Sequence, residues 1–230
     1  MIIQTQNLSK IYESGDLQTR ALHSVNLQIP DGEFVAIMGP SGSGKSTLLN
    51  ILGMLDKPNK GAYIFKGVDV SDFSEKQRAT MRKKHIGFIF QNFNLIEELT
   101  VFENIELPLL YLGTSSTQRN ELVNQMLAHL NLQHRKSHFP HQLSGGQQQR
   151  TAVARALVTN PDIILADEPT GNLDTRNGEE VMRLLTRLNV NGTTIVMVTH
   201  SAEHAQHANK VIRMLDGNIN TEISQYANIL

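Results

Sequence analysis

The period of the apolar residues changes along the chain, and the changes divide it. Leu22, Val25, Leu27 and Ile29 stand mostly at alternate positions, and Phe34–Met38 is a short, wholly apolar run. That run leads into glycine-rich sequence and then into Leu48, Leu49, Ile51 and Leu52, a succession that predicts buried strand, loop and helix. The runs Ile86–Phe90, Ile163–Ala166 and Thr194–Val198 lack alternation. They suit strands covered on both faces, as in a parallel sheet with helices on each side. From about Thr100 to Thr159 the helical period dominates. There Leu122, Val123, Met126, Leu127 and Leu130 predict one apolar face, and Val153, Ala156 and Leu157 another. A helical stretch between strand-bearing segments implies a separate lobe. Val181, Leu184, Leu185 and Leu188 mark a later amphipathic helix that returns to the sheet. The expected organisation is a core over 1–91 and 160–218, a helical lobe over 92–159, and a tail over 219–230 whose mixed character assigns it to no element.

Composition narrows the function. A chain of 230 residues, 40% apolar and 19% charged, buries a real core and is ordinary for a globular protein. The formal net charge of −1 exerts no overall pull on nucleic acid, so no nucleic-acid partner is expected. Cysteine is absent, which excludes disulfides and thiol–metal sites and fits a reducing compartment. No apolar run approaches the roughly 18 residues of a membrane-spanning helix. The opening Met-Ile-Ile-Gln-Thr-Gln has no basic stretch followed by an apolar one, so no secretory signal is expected. Work at a membrane would then run through a partner.

Gly39-Pro40-Ser41-Gly42-Ser43-Gly44-Lys45-Ser46, followed by Thr47, matches G-x-x-x-x-G-K-[ST] between a predicted strand and a predicted helix. Glycines let the backbone curl so that successive N–H groups face phosphates, and the helix N-terminus adds its positive end. Lys45 is expected to reach the β- and γ-phosphates and the Ser46 hydroxyl to ligate Mg²⁺. The run Ile163–Ala166 then ends in Asp167-Glu168. Asp167 can approach the same ion, most simply through water. Adjacent strand residues point to opposite faces, so one carboxylate is free to hold metal while the other accepts a proton from an attacking water. Ser144-Gly145-Gly146-Gln147 opens a helix running through Arg150, Val153 and Leu157. A hydroxyl, free N–H groups and a helix dipole make an anion site, although the same string also serves as a plain N-cap. Two phosphate sites on different lobes raise the idea that each nucleotide is shared between two chains.

Together these segments resemble the ATP-binding subunits of ABC transporters. Leu143-Ser144-Gly145-Gly146-Gln147 carries the resemblance, standing after the phosphate loop and before Ile-Leu-Ala-Asp-Glu-Pro, and the match spans roughly residues 2–218. The resemblance implies an α/β P-loop NTPase core, a mostly parallel sheet with helices on both faces and N-terminal antiparallel strands, carrying an inserted α-helical subdomain. It implies ATP and Mg²⁺ as cofactors, and a homodimer in which the Ser-Gly-Gly segment of one copy caps the γ-phosphate held by the other. It also assigns roles. Gln91 contacts Mg²⁺ and the attacking water. His200, singled out among nine histidines only by its place after a strand, touches the γ-phosphate. Tyr12 stacks on adenine, unless it is a half-buried strand tyrosine. Asp174, in Asn172-Leu173-Asp174, lies in a loop crossing the dimer interface. Glu168 becomes the catalytic base, with Lys45 and His200 stabilising charge.

Finer strings, Phe90-Gln91-Asn92-Phe93-Asn94-Leu95 and Glu103-Asn104-Ile105-Glu106-Leu107-Pro108-Leu109 among them, resemble macrolide-exporter, lipoprotein-release and bacitracin-resistance subunits. Asn59-Lys60 departs mildly from that pattern, where a small hydroxyl residue is expected. The subgroup implies an integral membrane permease docking near Phe93–Pro108 and a peripheral place on the cytoplasmic face of the cell membrane. A cell-division ATPase that regulates a membrane partner without transport remains an alternative. DNA-repair engines of related type carry long coiled coils, and no sustained heptad run occurs here. A GTP switch would need an Asn-Lys-x-Asp element, which is absent, and a small-molecule phosphotransferase leaves the Ser-Gly-Gly site unexplained.

Overall fold

Three strands explain why the apolar runs do not alternate. In the computed structural model, which describes residues 1–15 and 17–224, these are β3 (Phe34–Met38), β7 (Ile163–Asp167) and β8 (Thr194–Val198). Phe34, Ala36, Ile164, Ala166, Ile195 and Met197 enter one apolar cluster. Their neighbours Val35, Ile37, Ile163, Leu165, Val196 and Val198 enter a second cluster across the sheet. Successive side chains point to opposite faces, so a strand covered on both sides must be apolar throughout.

These strands lie in a six-stranded sheet of order β10-β9-β3-β8-β7-β6. β6 is Ile86–Phe90, β9 is Lys210–Leu215 and β10 is Asn218–Ser224. All its pairings are parallel except β9 with β10. Residues 219–224, expected in the tail, thus pair in the sheet; 225–230 lie outside the described residues. A four-stranded antiparallel sheet, β2-β1-β4-β5, packs over the second cluster. Its strands are β1 (Ile3–Ser14), β2 (Leu17–Ile29), β4 (Lys60–Phe65) and β5 (Val68–Asp69). Between the sheets runs α1 (Lys45–Leu52), burying Leu48, Leu49, Ile51 and Leu52.

The opposite face carries α3 (Val101–Tyr111), α4 (Ser116–His129), α5 (Gly145–Leu157) and α6 (Thr175–Val190). Along α4 only Val123 and Leu127 are buried. Leu122, expected on the apolar face, is exposed, because a one-residue step turns it about 100° away from the Val123–Leu127 stripe. Two short helices complete the fold. α2 (Glu75–His85) precedes β6, and α7 (Ala202–Ala205) follows β8.

Candidate nucleotide site

The C-terminal ends of β3, β7 and β8 lie side by side, and each delivers part of one cavity. β3 runs into the glycine-rich loop, β7 into Asp167-Glu168, and β8 into Thr199-His200. Ligands in open parallel sheets bind at this edge. The loop closes on itself through Ser43 N–H to the Pro40 carbonyl, 3.2 Å, and is tied to the sheet by Gly217 N–H to the Ser43 carbonyl, 3.1 Å. Gly44 caps α1 at φ 95°, and a Cβ there would fall 2.4 Å from the Ala21 carbonyl oxygen. Only glycine fits a left-handed position pressed against another strand.

The cavity measures about 530 Å³. It gathers Gly39, Ser41, Gly42, Gly44, Lys45, Ser46 and Thr47 from the loop, and Gln91, Asp167, Glu168 and His200 from three other segments. Lys45 Nζ donates to the Gly39 and Pro40 carbonyls, 2.8 Å each, which holds the ammonium over the loop. Burial pushes the Asp167 carboxyl up from its ordinary value; the Glu168 charge adds to this, against a hydrogen bond from Ser46 and the Lys45 charge. Glu168 Oε2 lies 2.9 Å from His200 Nδ1, within hydrogen-bond reach.

Strand alternation does not govern the carboxylate pair. β7 ends at Asp167, and Glu168 sits beyond it at φ 46°, so both side chains line the same cavity. The Glu168 N–H donates to the Val198 carbonyl, and its carbonyl accepts from Gly171 N–H, each 3.0 Å. Gln91 is tied to the following loop: its Nε2 donates to Asn172 Oδ1, 3.3 Å, and its carbonyl accepts from Asn172 Nδ2, 3.1 Å.

Other expected residues stand outside the lining. Pro40 contributes its carbonyl to Lys45, and Ser43 is buried with its hydroxyl unpartnered. Tyr12, on β1, is 42% exposed. Its hydroxyl donates to Asp56 Oδ2, 3.0 Å, and Lys10 Nζ lies 4.9 Å from its ring centroid. Burial chiefly raises its phenol pKa, opposed by a hydrogen bond with Thr47, which places the ring beside the cavity. Asp174 is the N-cap of α6, with Oδ1 accepting from Asn177 N–H and Oδ2 from Asn177 Nδ2, 2.8 Å each. Ser144 caps α5: its hydroxyl accepts from Gln147 N–H, and the Gln147 side chain accepts from Ser144 N–H, 3.1 Å. Gly145 and Gly146 occupy the first turn, away from this cavity.

Thr19, Arg20 and Ala21 of β2 also line the cavity and carry no sequence signal. They are brought there by the antiparallel sheet folding over the loop, a contact no local spacing encodes.

The donors fit Mg²⁺. Asp167 is hydrogen-bonded to the Ser46 hydroxyl and Gln91 lies nearby, so hard oxygen donors share one side of the cavity. No cluster of three or more His, Cys, Asp or Glu exists among the described residues.

The ABC transporter family model matches residues 22–171. An ABC transporter ATP-binding protein of Methanocaldococcus jannaschii is 52% identical over 218 residues, 95% of this chain and 97% of that one. The protein YknY of Bacillus subtilis is 48% identical over 95% of each chain. A macrolide export ATP-binding/permease protein of an Azoarcus species is also 48% identical, but this chain spans only 33% of it. Among solved structures, the dimeric ATP-binding cassette MJ0796 bound to ADP and phosphate superposes with a TM-score of 0.90 at 45% identity, covering 97% of this chain and 98% of that one. With this length matched at these identities, the chain belongs to the ABC transporter family, in which it is an ATP-hydrolysing subunit.

Proposed function

We propose that two copies of the chain enclose two ATP molecules, each bound by one copy's phosphate loop and capped by Ser144, Gly145, Gly146 and Gln147 of the other. The observation that carries this reading is the meeting of Lys45, Ser46, Asp167, Glu168 and His200 around one cavity, with the Ser144-capped start of α5 outside its lining. Residues 39–47 hold the triphosphate through backbone N–H groups and Lys45, which exchanges its two carbonyl partners for phosphate oxygens. Ser46, Gln91 and Asp167 would hold Mg²⁺, which would supply positive charge against the developing negative charge of the transferring phosphoryl group. The exposed Tyr12 ring stacks on the base, and Asp174 fixes the start of α6 at the interface between copies.

Glu168 takes a proton from water as its oxygen bonds to the γ-phosphorus and the bond to ADP breaks. His200 holds the carboxylate through Nδ1 and, when protonated, donates from its other nitrogen to the γ-phosphate. Dimer closure then drives an integral membrane permease on the cytoplasmic face of the cell membrane. A groove of about 290 Å³ lined by Phe88, Phe90, Asn94, Pro108 and Arg155 supports docking near Phe93–Pro108. The relatives named for macrolide export favour export as the task, while lipoprotein release and antimicrobial-peptide resistance rest on the sequence resemblance alone.

Glu168→Gln tests the core of this reading. It should bind ATP as the parent does, lose about 10²–10⁴-fold in turnover, and accumulate as an ATP-bound dimer visible by size-exclusion light scattering. Parental turnover, or monomers only at saturating ATP, sinks it.

A further inference from the structure

Gln149 lies in the middle of α5 with 0% of its surface exposed. Its Nε2 donates to the Pro169 carbonyl oxygen, 2.5 Å away, while its Oε1 has no partner. The partner fixes the amide's orientation, because a carbonyl oxygen only accepts and so must meet the NH₂ end. A buried unpaired acceptor lowers stability, and methionine or leucine would fill the same space without that penalty. What glutamine adds is one hydrogen bond, and it falls on the residue directly after Glu168.

Pro169 has no N–H, so its carbonyl is the only backbone handle at that position. The handle matters because Glu168 sits at φ 46°, a conformation that a side-chain-bearing residue keeps only when its surroundings hold it there. The bonds around it are Glu168 N–H to Val198, Gly171 N–H to the Glu168 carbonyl, Leu173 N–H to the Thr170 carbonyl, the Thr170 hydroxyl with His204 Nδ1 at 2.9 Å, and His200 Nδ1 at 2.9 Å from the Glu168 carboxylate. Of these ties, only Gln149 reaches the turn from α5. The first turns of α5 and α6 are also pressed together, since a Cβ at Gly146 would fall 2.2 Å from Asn177 Oδ1.

We propose that Gln149 is a positioning residue for hydrolysis: from α5 it clamps the Pro169 carbonyl and so holds the Glu168 carboxylate on the line of attack. The inference rests on the reading of Glu168 as the base. Gln149→Met keeps the length and volume and deletes the donor. Misaiming a catalytic group by about an ångström is worth on the order of a hundredfold in rate. Gln149→Met should therefore lower kcat by about that factor, leave KM and the affinity for a non-hydrolysable ATP analogue within about twofold, and still give the trapped dimer when combined with Glu168→Gln. If Gln149→Met does not fold, Gln149→Asn, which keeps the amide but is too short to reach, should show the same split. Parental kcat in the variant overturns the clamp, and so does a loss of nucleotide affinity as large as the loss of kcat. If Glu168→Gln itself turns over normally, the base assignment fails, and that outcome is distinct from an inactive Glu168→Gln beside a fully active Gln149→Met.

Discussion

Asp167 and Glu168 are neighbours with different surroundings, and the difference fits a division of labour. Asp167 ends a buried strand against Ser46 and Lys45, whereas Glu168 turns out of the strand toward His200. The raised pKa of Asp167 is a stability statement. Its folded-state pKa lies above the ordinary 3.8, so the folded chain holds this proton more tightly than the unfolded one. The resulting penalty is absent below about pH 3.8 and complete above the folded-state value. Asp167→Asn removes it. The variant should melt higher than the parent at neutral pH, by on the order of 2–4 °C for each kcal/mol relieved, while losing Mg²⁺-dependent ATP binding. Calorimetry beside nucleotide titration with and without Mg²⁺ reads both, and a lower Tm contradicts the strain at Asp167. The loop residues were legible because they are contiguous and each answers to one anion. Gln149 and Arg20 were not, since their partners lie far off in sequence and their residue types carry no signal alone.

Helix α5 does more at the level of elements than its sequence announces. Its first turn is capped by Ser144 and is the proposed second anion site, its middle grips Pro169, and its last turn holds the loop before α3. Arg155 donates to the carbonyls of Phe93, 2.8 Å, and Asn94, 2.5 Å, two residues at φ 59° and 48°. Burial lowers the guanidinium's pKa from its ordinary value, and its bonds go to that loop. Arg155→Leu would leave the partly buried Phe93 carbonyl unpartnered and release the exposed Asn94 carbonyl to water, at a cost of about 1–2 kcal/mol, on the order of 2–8 °C in Tm for a chain of this size. If the proposed docking holds, it should also weaken co-purification with a membrane permease, because the same loop borders the groove proposed for it. An unchanged melting curve would show that the loop holds itself. Strands buried on both faces were legible as unbroken apolar runs. Helix α2 was not, since it buries no side chain and is held by the Ser74–Gln77 capping box and by Glu75 pairing with Arg78 and Arg82. β10 was missed for a related reason: it is a mostly exposed edge strand that pairs Glu222 with Lys210.

The N-terminus of α5 does not line the nucleotide cavity within one molecule, so on the proposed reading a single copy presents two half-sites. A two-fold dimer places each half-site against its complement twice, and this geometry makes a sharp prediction. Lys45→Ala removes the charge from the phosphate loop. Gly145→Asp puts a negative charge where the partner's γ-phosphate should lie. The second change leaves the fold intact, since a Cβ at Gly145 meets nothing closer than 3.5 Å and an acidic residue suits a helix's first turn. At Gly146 the clash with Asn177 would confound the test. Each variant alone should be inactive, because both of its sites carry the defect. In a mixed dimer both defects fall on one site and the other is intact, so equal mixing should restore about a quarter of parental turnover. If the two half-sites served one nucleotide within a single chain, no mixing ratio would recover any activity. Titrating one inactive variant into the other while following phosphate release separates the two cases.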